Sequence, residues 1–327
     1  MAGKRIAVFD KYMLPKVAFT LVTTASIVGA ILTGLRHGLL DWPLLALRWG
    51  AYWTLALLLG SEVWKNFYLR PSVRVRPVPR AVEYGEAMLR LHRKWQKVLL
   101  PLAFVLVTAD MVLYARESPL AQTWALLAFG ALVLAAGGIL WAWTTRPDAQ
   151  RIDVTSWLSV IGLATAVCMI ATLDVTLESG QGQWLLEVNR TFHLWAFSAW
   201  LGGALWNVFI AVPAGRPREN MDTVILANFQ LERFRVVVRT VFPTIITTGL
   251  IQAWAIFGWH WQSLFTNWWG YLILTKVGLI LALVGVFIAC PMWGACSPIR
   301  GVCNLDDLFE DEAKEAAHGG AAIPPLS

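Results

Sequence analysis

Charge is scarce in this chain. Only 15% of its 327 residues are Asp, Glu, Lys or Arg, while 57% are hydrophobic. Soluble domains carry roughly a quarter charged residues, so a free-standing globule is excluded. Cysteine is scarce too, at 4 residues, and Cys290, Cys296 and Cys303 are expected on the inner side, where thiols stay reduced, so a disulfide framework is not expected. The chain has no G-x-G-x-x-G fingerprint, no phosphate loop and no hydrolytic triad pattern. Nothing in it names a substrate.

Long apolar runs are plentiful. Eight of them, near 17–35, 44–67, 98–115, 122–145, 155–176, 190–213, 240–257 and 269–290, have the length of a membrane-spanning helix. The segment before Val17 is basic and polar and leads into a full-length span with no small-residue cleavage pattern, so this first span is expected to be retained. The formal net charge of +6 is unevenly spread. With the N-terminus inside, 22 of the 27 Lys and Arg residues fall in inner segments, and only Arg36, Arg48, Arg116 and Arg190 fall in outer ones. Lys276 lies within the last span. This is the positive-inside pattern, and it places both termini in the cytoplasm. The basic loop from Lys65 to Lys97 is therefore a topology signal and a candidate surface for anionic lipid headgroups, not a nucleic-acid site. The lipid bilayer is the expected partner, in the inner membrane of a prokaryote.

A gapless offset of 142 residues aligns Trp42 with Trp184, Arg48 with Arg190, Trp53 with Trp195, Gly60 with Gly202, Trp64 with Trp206 and Pro101 with Pro243. The expected fold is thus an all-α membrane protein of eight transmembrane helices, arranged as two parallel four-helix repeats. The first repeat covers 1–146, the second 151–290, and a cytoplasmic tail with cysteines and acidic residues covers 291–327. The halves differ where chemistry would sit. His193 corresponds to Ala51, Ala204 to Glu62, and Gln252 to Asp110. The half without the histidine reads as scaffold.

The stretch Arg190–Pro213 is the expected working element. His193 follows Arg190 by one turn, and a histidine inside a span marks a functional candidate. Gly202 and Gly203, with Ser198 and Ala199 before them, leave a smooth patch for a neighbouring helix. His260 and His37 lie in loops on the same side of the membrane as His193, and either is a candidate second ligand. Four ionisable groups fall inside spans. Asp174 is expected to pair with Arg190, whereas Glu62 and Asp110 mark either a proton or ion path or neutral groups bonded to neighbouring helices. Lys276 is the fourth. Cys290, Cys296 and Cys303 are candidates for soft-metal binding or for acylation.

His193 followed by W-L-G-G, then Arg239, Pro243, Thr248-Gly249 and Lys276, resembles the copper-resistance D (CopD) membrane family over about residues 190–290. The resemblance implies copper handling, with His193, His260 and His37 as metal ligands on the outer side. The same histidine, arginine and lysine pattern is similar to the membrane protoporphyrinogen oxidases. That likeness implies haem b, with Arg190, Arg239 and Lys276 holding the cofactor's carboxylates and electrons passing to or from quinone. The 7 methionines form no spaced motif of the kind a methionine-rich copper transporter carries. A third reading is a membrane anchor for other subunits or for a periplasmic metal or redox protein. The topology predicts that reporter fusions after Pro147 and after Ser327 both read cytoplasmic; a periplasmic signal from either would overturn it.

Overall fold

The structure, a computed structural model, describes residues 13–36, 41–75, 77–151, 154–179, 183–218, 220–258 and 262–289. Among them the chain is helical throughout, without strands, and eight helices are long and apolar enough to cross a membrane. It is an all-α membrane protein. The helices are α1 (Met13–Arg36), α2 (Trp42–Val75), α3 (Pro79–Tyr114), α4 (Pro119–Thr144), α5 (Val154–Ser179), α6 (Trp184–Gly215), α7 (Met221–Phe257) and α8 (Trp268–Ala289).

Local chemistry sets several boundaries. Ser118 accepts from the backbone N–H of Ala121 at 3.0 Å and caps α4, with Pro119 behind it. Asn220 caps α7 in the same way through Thr223, also at 3.0 Å. Gly258, at φ 57°, stops α7 in a conformation that L side chains avoid. Two helices begin far ahead of their apolar runs. α3 starts at Pro79 and α7 at Met221, each about five turns before the predicted span. Those leading turns are amphipathic: Tyr84 and Met88 are fully buried beneath charged neighbours such as Arg80 and Arg90. Hydropathy sees only what a bilayer would cover, so it misses them.

The helix boundaries recur at the offset seen in the sequence. Trp42–Val63 and Trp184–Leu205 are both regular 22-residue helices. Each runs directly into six residues of π-helix, Trp64–Leu69 and Trp206–Ala211. π-helical turns are rare, so their return 142 positions later is a strong correspondence. Packing follows the same rule. α2 lies against α6, α2 against α3, and α6 against α7, while α4 packs on α5 and α1 on α8.

Small residues allow the closest of these contacts. α2 and α6 cross at Gly60 and Gly202, which face each other. A Cβ on Gly60 would lie 2.7 Å from the Gly202 Cα and would also strike the Ser198 carbonyl. Beside them the Trp64 indole lies over Gly203. The smooth patch expected on α6 is therefore occupied by α2. On α4, Ala121, Ala125, Ala128, Leu132, Ala135 and Ile139 form a buried seam spaced alternately by four and three, against α5. Leu126, Val133 and Leu140 are exposed on the other side, as a lipid-facing stripe would be.

The linker between the halves is tied to the first. Arg93 donates to the carbonyls of Ala142, Trp143 and Thr145 at 3.0–3.3 Å, and Arg74 donates to Gln150 at 2.9 Å. Ala149 is fully buried against Gly85. Lys65, Arg70 and Arg93 make this the basic end of the bundle.

The glycine crossing predicts that Gly60→Leu or Gly202→Leu forces α2 and α6 apart. Overpacking of this kind costs about 1–3 kcal/mol. Each variant should lower the thermal unfolding midpoint in detergent, whereas Gly130→Leu, with nothing within 4 Å of its Cβ, should not. Equal effects at Gly60 and Gly130 would contradict the crossing.

Candidate functional site

At the end opposite the basic loops, two adjoining cavities of about 160 Å³ each meet at Arg190, His193 and Lys276. Each has room for on the order of ten water molecules, far more than a single ion requires. Their walls come from α1, α2, α6, α7 and α8, with Tyr114 from the end of α3, and are largely apolar and aromatic, with Trp49, Trp53, Phe197 and Trp200 among them.

The orientation of His193 is set by α7. Its Nδ1 lies 2.8 Å from the Thr248 hydroxyl. That hydroxyl has one proton, and the Thr244 carbonyl, 2.5 Å away, takes it in the i−4 bond usual for helical threonine. Thr248 Oγ is left to accept, so His193 Nδ1 donates. The other ring nitrogen, Nε2, then carries the lone pair, which is the form in which imidazole binds a metal. Asn189 fastens the same turn by donating to the Thr248 carbonyl at 3.0 Å.

The charged neighbours of His193 are Lys276 and Arg190, both cations. Lys276 reaches across to α1, where its Nζ would sit 3.2 Å from a Cβ on Gly29. Among the described residues it has no anionic partner. Arg190 is better held. It donates to Asp174 at 3.0 Å, to Thr33 at 3.2 Å and to Gln252 at 3.5 Å.

Asp174 is the anchor of this end. It is fully buried and also accepts from the hydroxyls of Tyr52 and Tyr114. Three helices besides its own thus donate to one carboxylate. Arg48 lies 4.4 Å over the Tyr114 ring and 3.5 Å from Asp110. That last pair is a Coulombic contact only, because neither Asp110 oxygen nor Arg48 Nε makes a hydrogen bond. Arg48 with Asp110 and Arg190 with Gln252 are the same pair of positions in the two halves, and both are 3.5 Å apart.

The site is one-sided. The positions matching His193, Thr248 and Lys276 are Ala51, Leu106 and Leu134. All three are apolar, so at these positions the first half has neither ligand, orienting group nor a counterpart to Lys276.

Glu62 is elsewhere. It precedes the basic end, 14 positions along α2 from Arg48, which is roughly 21 Å of helix. It pairs there with Lys65 and accepts from Gln96, whose own oxygen accepts from Trp143 at 3.1 Å. Glu62 and Asp110, read together in the sequence, belong to separate clusters. Arg239 is exposed on α7 and does not line either cavity. His37, His260, Cys290, Cys296 and Cys303 lie outside the described residues. Among the described residues no group of three His, Cys, Asp or Glu side chains is placed to hold a metal ion.

Sequence reasoning missed Tyr52 and Tyr114. Both are ordinary aromatic residues in apolar runs, and only their shared distance to Asp174 distinguishes them. No family model, curated protein or solved structure matches this chain.

Removing the anchor tests the geometry. Asp174→Asn removes the buried member of the pair with the half-buried Arg190, a change that costs about 3–5 kcal/mol. Tyr114→Phe removes one hydrogen bond to a charged group, about 1.5–3 kcal/mol. Thermal unfolding in detergent should therefore rank Asp174→Asn as the more damaging, and the reverse order would contradict the role given to Asp174.

Proposed function

We propose that this protein is a b-type haem protein of the prokaryotic inner membrane, with the basic end in the cytoplasm and the cavity at His193 in the outer leaflet. The observation that carries the reading is the state of His193. Thr248 holds Nδ1–H, Nε2 is left with its lone pair, and the ring lines an apolar cavity flanked by two cations.

The donor set fits haem better than a bare metal ion. A copper ion needs several ligands, and the described residues offer one nitrogen beside two positive charges. Haem needs one axial imidazole, an apolar enclosure and cations for its two carboxylates. His193 is the axial candidate, while Arg190 and Lys276 are the carboxylate partners. Arg48, also on the cavity wall, is a third cation within the same enclosure. Trp49, Trp53 and Trp200 exclude water. One-electron transfer is the chemistry such a group supplies when bound, and quinone is the matching lipid-soluble redox partner. The resemblance to the CopD and protoporphyrinogen oxidase families supports a metal-linked role. Copper handling remains the second reading, with His260 or His37 as the additional ligands. Association with other subunits or with a periplasmic redox protein is compatible with either.

Purified protein should show a reduced-minus-oxidised haem spectrum that His193→Ala abolishes. Lys276→Met should weaken haem retention by roughly ten- to a hundredfold, the worth of one hydrogen bond to a charged group. An unchanged spectrum in His193→Ala would remove the axial assignment. Copper without haem in wild type, lost in the same variant, would favour the second reading.

A further inference from the structure

The basic end holds a third cavity, apart from the two at the outer site. It measures about 40 Å³ and lies between α2, α3, the end of α4 and the linker. That is room for about three waters, or for the oxygens of one tetrahedral oxyanion. Its walls carry Lys65, Arg70, Arg93, Arg146 and Arg151, against one carboxylate, Asp148.

The charges do not cancel. Lys65 is neutralised by Glu62 behind it. Asp148 accepts the backbone N–H groups of Gln150 and Arg151 at 2.8 and 3.1 Å, which fixes it as part of the linker turn. Arg93 is held by three backbone carbonyls, which are neutral, so its charge stands. Arg146 and Arg151 have no anionic partner among the described residues. Among the described residues, Arg93, Arg146 and Arg151 therefore meet at one cavity whose wall carries a single acid.

A buried polar group also faces it. His92 lines the cavity and is only 2% exposed. Its Nε2 makes no hydrogen bond and lies 3.7 Å from Glu62 Oε1, beyond bonding range. The second half does not repeat this arrangement. The positions matching Arg70, His92 and Arg146 are Val212, Phe234 and Ile288. The pocket is thus a feature of the first half, not a general property of helix ends.

We propose that this cavity is a binding site for a phosphate-bearing anion. Its place at the end of the spans, where the linker closes over α3, suits the headgroup phosphate of an acidic phospholipid. Free phosphate offers the same oxyanion. Arg146 and Arg151 supply exposed cations, Arg93 a fixed one, and His92 a buried polar contact.

The test is native mass spectrometry of delipidated full-length protein titrated with phosphatidylglycerol, with phosphatidylcholine, and with inorganic phosphate. Phosphatidylglycerol should bind at least about tenfold more tightly than phosphatidylcholine. The double variant Arg146→Gln/Arg151→Gln should lose at least about tenfold of that affinity, since each cation near a charged lipid surface is worth roughly fivefold. Lys97→Gln, an exposed charge outside the cavity, should lose none. All three changed side chains are exposed, and an unchanged unfolding midpoint confirms that the variants fold. Binding of inorganic phosphate, lost in the double variant but without a lipid preference, assigns the site to free phosphate. Equal binding of the two lipids with no phosphate binding overturns the proposal, as does an equal loss in Lys97→Gln.

Discussion

The fold depends on the contact between Gly60 and Gly202. Two helices in lipid gain nothing from burying apolar surface against each other, because the lipid is equally apolar. What holds them is close packing and polar contact, and both require the backbones to meet. With hydrogen as the side chain on each helix, α2 and α6 reach backbone contact at matching positions. α3 packs on α2 and α7 on α6, while α5, the most buried of the spans, packs against α2, α4 and α6. The arginine at the start of each crossing helix, Arg48 or Arg190, then falls at the same level and meets its partner on the flanking helix at the same 3.5 Å.

On this matched frame the two halves carry opposite polar equipment. The second half keeps His193, Thr248 and Lys276 at one end, where the first has Ala51, Leu106 and Leu134. The first half keeps Glu62, Lys65, His92 and Gln96 at the basic end, where the second has Ala204, Asn207, Phe234 and Val238. Asn207 apart, each half is apolar at these positions where the other is polar. The expectation that the first half serves only as scaffold therefore understates it, because it builds a cavity of its own. Buried polar groups in lipid are costly without partners. Asp174 shows how the cost is met, with two tyrosines and an arginine on one carboxylate.

Much of this was legible in the chain itself. Eight apolar runs announce eight helices, and the Asp174–Arg190 pair follows from two charges at neighbouring helix ends. The glycine patch on α6 was readable as a contact surface, though not which helix would fill it. The leading turns of α3 and α7 were invisible to hydropathy because they project beyond the apolar zone. Tyr52, Tyr114 and Gln96 carry no local signature, since their meaning comes from carboxylates 122, 60 and 34 residues away. Glu62 and Asp110 looked like members of one path because both are acids within spans. Their separation by some fourteen residues' worth of helix is a three-dimensional fact. The orienting role of Thr248 needed the position of its own proton, which follows only from the Thr244 carbonyl beside it.

The central proposal is a single haem site at His193, with none at the corresponding position of the first half, Ala51. The most direct measurement is the stoichiometry of haem to protein, by pyridine haemochrome absorbance against quantitative amino-acid analysis of the fully loaded chain. One haem per chain is the predicted value, because Ala51 offers no ligand in the first half. Two haems per chain, or none under conditions that keep the protein folded and haem in excess, would contradict the account.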